Sequence, residues 1–503
     1  MQQRPLSLSE RLLLDHTSSV PLYRQIYQWM RRAILDGQLQ PGQRLPSTRT
    51  LASELGVSRN TASTAYEQLQ AEGYIERTVG SGTTVTHFLP EAHASSLVTS
   101  QQAWPGRSPT SHLGLSLFGR AIAEQIRSVP AFLMHVRSAQ PRAFRLGTPA
   151  LDLFPYHLWA QLLTRHARHS LPGQSDYQES AGYRPLREAI AAHIAVTRGV
   201  RSQADHILIT SGTQAALDLT VRLLVERGDV VWMEDPGYPG AWAALEGAGA
   251  RIMPVPVNAD GLEVTVGRTR APRARLAYVT PSHQFPLGVT MKLEQRIALL
   301  QWAQEANAWI VEDDYDSEYR FSSRPVEALQ GLDRASRVIY LGTFSKVLFP
   351  SIRLGYVVVP DQLMELFAIA QRFLTTHPPL LEQLALADFL AEGHFARHLR
   401  RMRTCYAARR EALMTAIRNE CGMLLEAHAP QAGMHLVGWL PPGFSDTEIE
   451  QRTAQRGIEV VALSTLSREP MTRGGLVLGY AACSEQEIQT GVRILADVLH
   501  EWG

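Results

Sequence analysis

Tyr340-Leu-Gly-Thr-Phe-Ser-Lys346-Val-Leu-Phe-Pro-Ser-Ile-Arg353-Leu-Gly-Tyr356 decides how the 503-residue chain is read. Lysine and arginine together number 49, and only Lys292 and Lys346 are lysines. A chain that meets almost every need for positive charge with arginine, yet keeps lysine here, points to a need for a primary amine. An ε-amine forms a Schiff base and a guanidinium does not. Lys346 follows a strand-like apolar run, Val338 to Leu341, and a Gly-Thr turn, and Arg353 stands seven residues on. An amine bonded to the aldehyde of pyridoxal phosphate, with a guanidinium on the phosphate, fits that pattern. Two surface cations in a loop fit the same residues, so the rest of the chain has to separate the two.

The length allows about three domain-sized units. Hydrophobic content of 45% and charged content of 19% describe a globular chain with ample core. The net charge of +1 excludes a globally basic nucleic-acid coat but not a small DNA-reading module. Cys405, Cys421 and Cys483 are widely spaced, with neither a disulfide framework nor a metal-ligand pattern. No signal-peptide core opens the sequence and no run of about 18 apolar residues occurs, so a cytoplasmic protein without membrane attachment is expected.

Near the N-terminus, Ile26, Met30, Ala33 and Ile34 recur at helical spacing over Leu22 to Leu35. Ser47 or Thr48 can cap a second helix carrying Leu51, Ala52 and Leu55, stopped at Gly56. Ser58 can cap a third, with Ala62, Ala65, Tyr66 and Leu69 as its apolar stripe. The tight Gly-containing turn makes these a helix-turn-helix, and Arg59, Asn60, Thr61 and Ser63 suit base edges and phosphates. Tyr74 to Arg77 and Thr83 to Val85 read as strands of a wing around Val79-Gly-Ser-Gly82. From Pro21 to Gly80 seven arginines face five acids. So small an excess implies few phosphate contacts per module and dimeric binding. A helical protein-interaction domain is the alternative on pattern alone.

Pro21-Leu-Tyr-Arg-Gln-Ile, Pro41-Gly with Leu45-Pro-Ser47, Leu55-Gly-Val-Ser-Arg-Asn-Thr61 and Gly73-Tyr-Ile together resemble the winged helix-turn-helix of GntR-type transcription factors. The resemblance implies DNA contacts at Arg49, Arg59, Thr61 and the wing Gly80, with Arg44, Ser47 and Ser58 as further contacts.

From His87 to about Ser111 the composition is that of a tether, and Leu115 to Val136 returns to helical spacing. Beyond Phe144, apolar runs at Ile207–Thr210, Val230–Met233, Leu276–Val279, Trp309–Val311, Val338–Leu341 and Val357–Val359 alternate with helical segments. That is the pattern of a mostly parallel sheet binding ligands at its carboxyl edge. Ser211-Gly-Thr213 offers a helix N-terminus to a phosphate, though it is also an ordinary cap. Tyr238 can stack on an aromatic ring or simply fill core. Glu312-Asp-Asp-Tyr-Asp316 can hold a metal, or supply one buried acid to a pyridine nitrogen.

In order, these pieces resemble the fold-type I aminotransferases from about Phe144 to the C-terminus. The resemblance implies that Lys346 forms the internal aldimine, Asp313 pairs with the pyridine nitrogen, Tyr315 bonds the ring hydroxyl and Tyr238 stacks. Ser211, Gly212, Thr213, Thr343 and Arg353 would hold the phosphate, and Tyr177 would reach the phosphate of a partner subunit. Two departures stand out. Phe285 occupies the place of the usual Asn before Pro286-Leu-Gly288, leaving His283 or Gln284 to substitute. In Gly474 to Ala481, where the carboxylate-binding arginine belongs, Val477 and its neighbours are apolar, and Arg473 is the nearest guanidinium.

A winged helix joined to this domain, with Pro281-Ser-His-Gln-Phe-Pro-Leu-Gly288 and Glu312-Asp-Asp-Tyr-Asp-Ser-Glu318, resembles the MocR subfamily of GntR regulators along essentially the full chain. The implied fold is α/β: a winged helix-turn-helix over 18–86, a linker over 87–114, and a pyridoxal phosphate-binding, aminotransferase-like effector domain over 115–503. That domain should have a large mixed, mostly parallel sheet and a smaller C-terminal α+β part from about 390. The implied function is a pyridoxal phosphate-dependent transcriptional regulator, a head-to-tail homodimer on double-stranded operator DNA. Its effector is the cofactor itself or an amine or amino acid bound through Lys346. Sensing without net enzymatic turnover is expected, with no metal. The rivals are an active aminotransferase with an accessory DNA head, and a scaffold that keeps the fold without the cofactor.

Overall fold

The computed structural model describes residues 20–78, 82–86, 142–168, 176–321 and 326–502, with isolated positions at 12, 14–16, 18, 114 and 119. Apart from Gly114 and Gly119, the expected linker over 87–114 and helix over 115–136 lie outside the described residues, as does the wing loop over 79–81. The chain divides into two compact units, Met1–Pro109 and Thr110–Gly503.

In the first unit, α1 (Leu22–Leu35) buries Ile26, Met30, Ala33 and Ile34, the stripe its spacing predicts. α2 (Thr48–Leu55) begins where the Ser47 side chain accepts from Thr50 N and stops at Gly56, whose φ of +65° is left-handed. α3 (Arg59–Ala71) is capped the same way by Ser58, which accepts from Thr61 N, and buries Ala62, Ala65, Tyr66 and Leu69. These stripes close on Leu51, Ile75 and Val85 in one core. β2 (Ile75–Thr78) and β3 (Gly82–Val85) pair antiparallel as the wing. A short β1 (Arg44–Leu45), which periodicity does not signal, adds to the other edge of β3.

The second unit is built on an eight-stranded sheet. In chain order its strands are β4 (Ile207–Thr210), β5 (Val230–Asp235), β6 (Arg251–Asn258), β7 (Gly261–Leu262), β8 (Leu276–Val279), β9 (Trp309–Asp314), β10 (Val338–Thr343) and β11 (Gly355–Val358). Their order across the sheet is β4-β11-β10-β9-β8-β5-β6-β7. The central pairs from β10 to β6 are parallel, while β11 runs antiparallel to both β10 and β4. Strands β4, β8, β9, β10 and β11 are buried along their whole length, as expected of a sheet covered by helices on both faces. On one side Trp232 and Trp302 stack with centroids 3.7 Å apart.

A separate antiparallel sheet of β12 (Glu426–Ala427), β13 (His435–Trp439), β14 (Val461–Ala462) and β15 (Gly475–Gly479), in the order β12-β13-β15-β14, packs with the C-terminal helices. Among the described residues no helix is long and apolar enough to cross a membrane.

Behind the carboxyl edge of the large sheet lies a buried ion pair. Arg198, 5% exposed, holds Asp314 at 2.7 Å, and Tyr340 donates to the same carboxylate oxygen at 2.6 Å. The guanidinium also donates to Val326 O and Ser282 Oγ, so three segments meet on one side chain. Replacing Arg198 with Leu leaves the Asp314 charge buried without its partner and should destabilise the second unit by about 3–5 kcal/mol, read by chemical denaturation.

Candidate functional site

A cavity of about 210 Å³ opens where β4, β5, β8, β9 and β10 end. β4 runs into Ser211 and Gly212, and Gly212, at φ +95°, is the cap of the helix Thr213–Leu224. Arg353, held at φ +48° between β10 and β11, donates to Ser211 O at 2.8 Å. A Cβ on Gly212 would come within 3.2 Å of the Arg353 guanidinium and would be strained at this φ, which favours glycine here. Thr343 Oγ1 accepts from Ser345 N at 3.1 Å. Thr213 Oγ1 and Ser345 Oγ are buried without a hydrogen-bond partner. A helix N-terminus, a guanidinium and two unmet hydroxyls thus gather at one end of the cavity, the donor set a phosphate needs.

Lys346 Nζ donates to Gly147 O at 2.9 Å, and a Cβ on Gly147 would lie 2.5 Å from that nitrogen. The only other lysine, Lys292, sits on the surface, paired with Asp260 at 2.6 Å.

Strand alternation distributes the acidic run at the end of β9 to separate partners. Glu312 accepts from Leu329 N and Gln330 N, Asp314 takes Arg198, and Asp313 points the other way, accepting from Tyr278 Oη at 2.6 Å. The second oxygen, Asp313 Oδ1, is buried with no partner. Burial raises the Asp313 carboxyl from 3.8 to about 7, against the opposing pull of the Tyr278 hydrogen bond. An unmet carboxylate oxygen on the cavity wall suits a pyridinium N–H, and with the unmet hydroxyls and Lys346 the residues fit pyridoxal phosphate. The half-buried Tyr238 ring meets Phe285 edge-on at 5.8 Å, and burial followed by the Asp313 charge pushes its phenol to about 12.

On the remaining wall, Asp316 holds His283 Nδ1 at 3.0 and 3.1 Å, and Tyr315 Oη lies 3.0 Å from the same nitrogen. His435 Nε2 donates to Pro286 O at 3.0 Å. His283, Asp316 and His435 are the one close group of three metal-type donors among the described residues; hydrogen bonds engage His283 Nδ1, Asp316 and His435 Nε2, while His283 Nε2 is buried without a partner.

Of the expected cofactor residues, Thr213, Tyr238, Asp313, Tyr315, Thr343, Lys346 and Arg353 line the cavity. Ser211 and Gly212 stand behind it, against Arg353. Tyr177 is 73% exposed, outside its own chain's cavity, with Arg372 over its ring. Neither candidate for the missing Asn reaches the cavity directly. Gln284 is consumed by Glu234, Pro236 O and Leu287 N, while His283 stands behind Tyr315. Phe285 itself lines the wall. Arg473 is also elsewhere, bonded to Leu440 O and Glu426. Ser345 and Tyr278 are cavity residues the motifs did not single out. The Thr-Phe-Ser-Lys order was the available signal for Ser345, and Tyr278 had none.

In the first unit Arg44, Arg49 and Arg59 are exposed, the last at the first turn of α3. The Ser47 and Ser58 hydroxyls lie at the starts of α2 and α3, where each caps its helix, and Thr61 Oγ1 lies 2.8 Å from Ser58 Oγ. Gly80 lies outside the described residues.

Residues 146–495 match the family described as Aminotransferase class I and II, and residues 22–85 match Bacterial regulatory proteins, gntR family. The chain is 43% identical over 485 residues to the probable rhizopine catabolism regulatory protein MocR of Rhizobium meliloti, covering 96% of this chain and 95% of that one. It is 30% identical over 482 residues to the pyridoxine biosynthesis transcriptional regulator PdxR of Corynebacterium glutamicum, covering 96% of each. Among solved structures, the α-aminoadipate aminotransferase LysN of Thermus thermophilus, complexed with N-(5'-phosphopyridoxyl)-L-leucine, aligns with a TM-score of 0.66 at 29% identity, over 78% of this chain and 96% of that one.

Because the folded state raises the Asp313 value above its unfolded 3.8, the stabilisation is full below about pH 4 and is lost as pH rises through about 7. Cofactor-free protein should therefore lose stability relative to its Asp313→Asn variant across that window. For a shift of this size the difference approaches about 4 kcal/mol, read by denaturation at a series of pH values.

Proposed function

The chain belongs to the MocR subfamily of GntR-type transcriptional regulators, with an aminotransferase class I and II domain, and we propose that it is a pyridoxal phosphate-dependent regulator. Its first unit binds operator DNA, and its second senses pyridoxal phosphate itself or an amine or amino-acid effector at Lys346. The observation that carries this is the set of unmet groups facing the cavity beside Lys346: Asp313 Oδ1, Thr213 Oγ1 and Ser345 Oγ. The bound cofactor would supply an aldehyde that bonds reversibly to primary amines. Lys346 serves as its covalent anchor. Asp313, oriented by Tyr278, holds the ring nitrogen, Tyr238 covers the ring face, and Tyr315 reaches the ring hydroxyl. Thr213, Thr343, Ser345 and Arg353 fix the phosphate.

The protein acts as a cytoplasmic, head-to-tail homodimer. Exposed Leu366, Ile369 and Phe373 form a stripe on the helix Asp361–Thr375, and Arg372 of that helix lies 5.7 Å from the Tyr177 ring. An apolar patch carrying the tyrosine expected to complete a partner's phosphate site is suited to a second copy of the chain. Regulation follows if cofactor or effector binds one arrangement of the dimer more tightly than another. The rival, an active transaminase, lacks support from a carboxylate-binding arginine on β15.

Adding pyridoxal phosphate to purified protein should produce the near-visible absorbance of a lysine-bound cofactor, and Lys346→Ala should abolish it. Lys346→Ala should also blunt any cofactor-dependent change in binding to the gene's own upstream DNA. Regulation that survives unchanged in the variant overturns the sensing role, and repeated turnover with an amino donor and keto acid favours the transaminase. Arg59→Ala should weaken DNA binding and lower the slope of log affinity against log salt by about 1, read by fluorescence anisotropy.

A further inference from the structure

The cavity wall left over once the phosphate end and ring contacts are assigned carries its own chemical preference. Val477, on β15, is fully buried and packs with Leu146, Phe285, Val437, Val461 and Leu463. The place where a guanidinium would grip a carboxylate is therefore filled by hydrocarbon. Arg473, the guanidinium nearest in sequence, is tied to Leu440 O and Glu426 and lies over the Trp439 ring. Among the described residues that line the cavity, the only lysine or arginine side chains are Lys346 and Arg353, the amine anchor and the phosphate-end guanidinium.

What the wall presents instead is acceptors. Asp316 lines the cavity and is 1% exposed, and both its oxygens face the single His283 Nδ1, which leaves further lone pairs on the carboxylate. His435 also lines the cavity. Its Nε2 lies 3.0 Å from Pro286 O, and a carbonyl can only accept, so the proton is on Nε2 and Nδ1 keeps its lone pair. Burial first, and the neighbouring His283, lower the His435 value to about 3, so the ring stays neutral and cannot stand in for the missing cation. A carboxylate brought here would face acceptor against acceptor beside a buried carboxylate. A hydroxyl or a second ammonium would find partners.

Resting on the reading of the cavity as a pyridoxal phosphate site, we propose that the effector is a primary amine whose other polar groups are hydrogen-bond donors, an amino alcohol or amino polyol, and that it carries no carboxylate. Its amine exchanges with Lys346, and its hydroxyls are read by Asp316 and His435. Phe285, Leu146 and Met434 supply the apolar part of the contact. Selection against amino acids comes from the lone pairs and the negative charge they would meet.

The test uses full-length protein loaded with pyridoxal phosphate and matched pairs of free amines: alanine against alaninol, and serine against serinol. Shifts of the near-visible absorbance band are followed, together with release from or tightening on the upstream DNA. The amino alcohols should half-saturate at concentrations lower by at least about tenfold than their carboxylated partners. Equal or tighter binding of the amino acids overturns the proposal, including the case in which a partner subunit supplies the missing cation. Asp316→Asn, checked for folding by its thermal transition and for loading by its band, should shrink that ratio. A loaded, folded variant with an unchanged ratio also overturns it. No absorbance band on adding pyridoxal phosphate to the wild-type protein would instead remove the cofactor reading beneath it, an outcome distinct from a band that appears and then responds to amino acids.

Discussion

The structure around the site depends on how acidic side chains are satisfied at the end of one buried strand. β9 carries Glu312, Asp313 and Asp314 into a region from which water is excluded, and each unmet charge there would be costly. Alternation sends Glu312 and Asp314 to one face, where backbone amides and Arg198 receive them, and Asp313 to the other. Only Asp313 keeps an oxygen without a partner, and that oxygen belongs to the cavity residue fixed by Tyr278. Arg198 in turn gathers Ser282 and Val326 around the same edge. The floor of the site is thus a by-product of neutralising its surroundings, and of the three acids on β9 the one left with an unsatisfied oxygen is the one that faces the cavity.

The same logic separates the two ends of the cavity. At one end donors predominate: the start of the helix Thr213–Leu224, Arg353 and two hydroxyls. At the other, Asp316 and neutral His435 offer lone pairs over an apolar cluster that includes Val477. Opposite polarity at the two ends orients a ligand without any moving part, because the wrong orientation pairs donors with donors and acceptors with acceptors. Tyr315 also lines the cavity, its hydroxyl within reach of His283 Nδ1.

Much of this was legible in the sequence, for reasons specific to each element. The stripe of α1 and the caps at Ser47 and Ser58 are local, and local patterns survive folding. Strands β4, β8, β10 and β11 read correctly because full burial leaves unbroken apolar runs. β6 did not read as a strand, since Pro254 and Pro256 argue against one. They lie two residues apart, so both missing N–H groups fall on one edge of the strand, and β7 pairs with β6 only at Val257 and Asn258, beyond both prolines. The fates of Gln284, His283 and Arg473 could not be read, because each is decided by a partner 33 to 50 residues away. Tyr278 is the same case: a tyrosine inside an apolar run looks like core until its hydroxyl is seen to reach Asp313.

The near absence of lysine has a consequence for chemical labelling. Of the two side-chain amines in the chain, Lys292 is open to solvent beside Asp260, while Lys346 sits within the cavity against Gly147 O. Reagents that capture amines therefore meet almost no background on this protein. A bulky one marks the surface lysine, a small aldehyde followed by reduction reaches the part-buried one as well, and a peptide map separates the two. The residue economy that first set Lys346 apart makes the occupancy of its cavity directly countable.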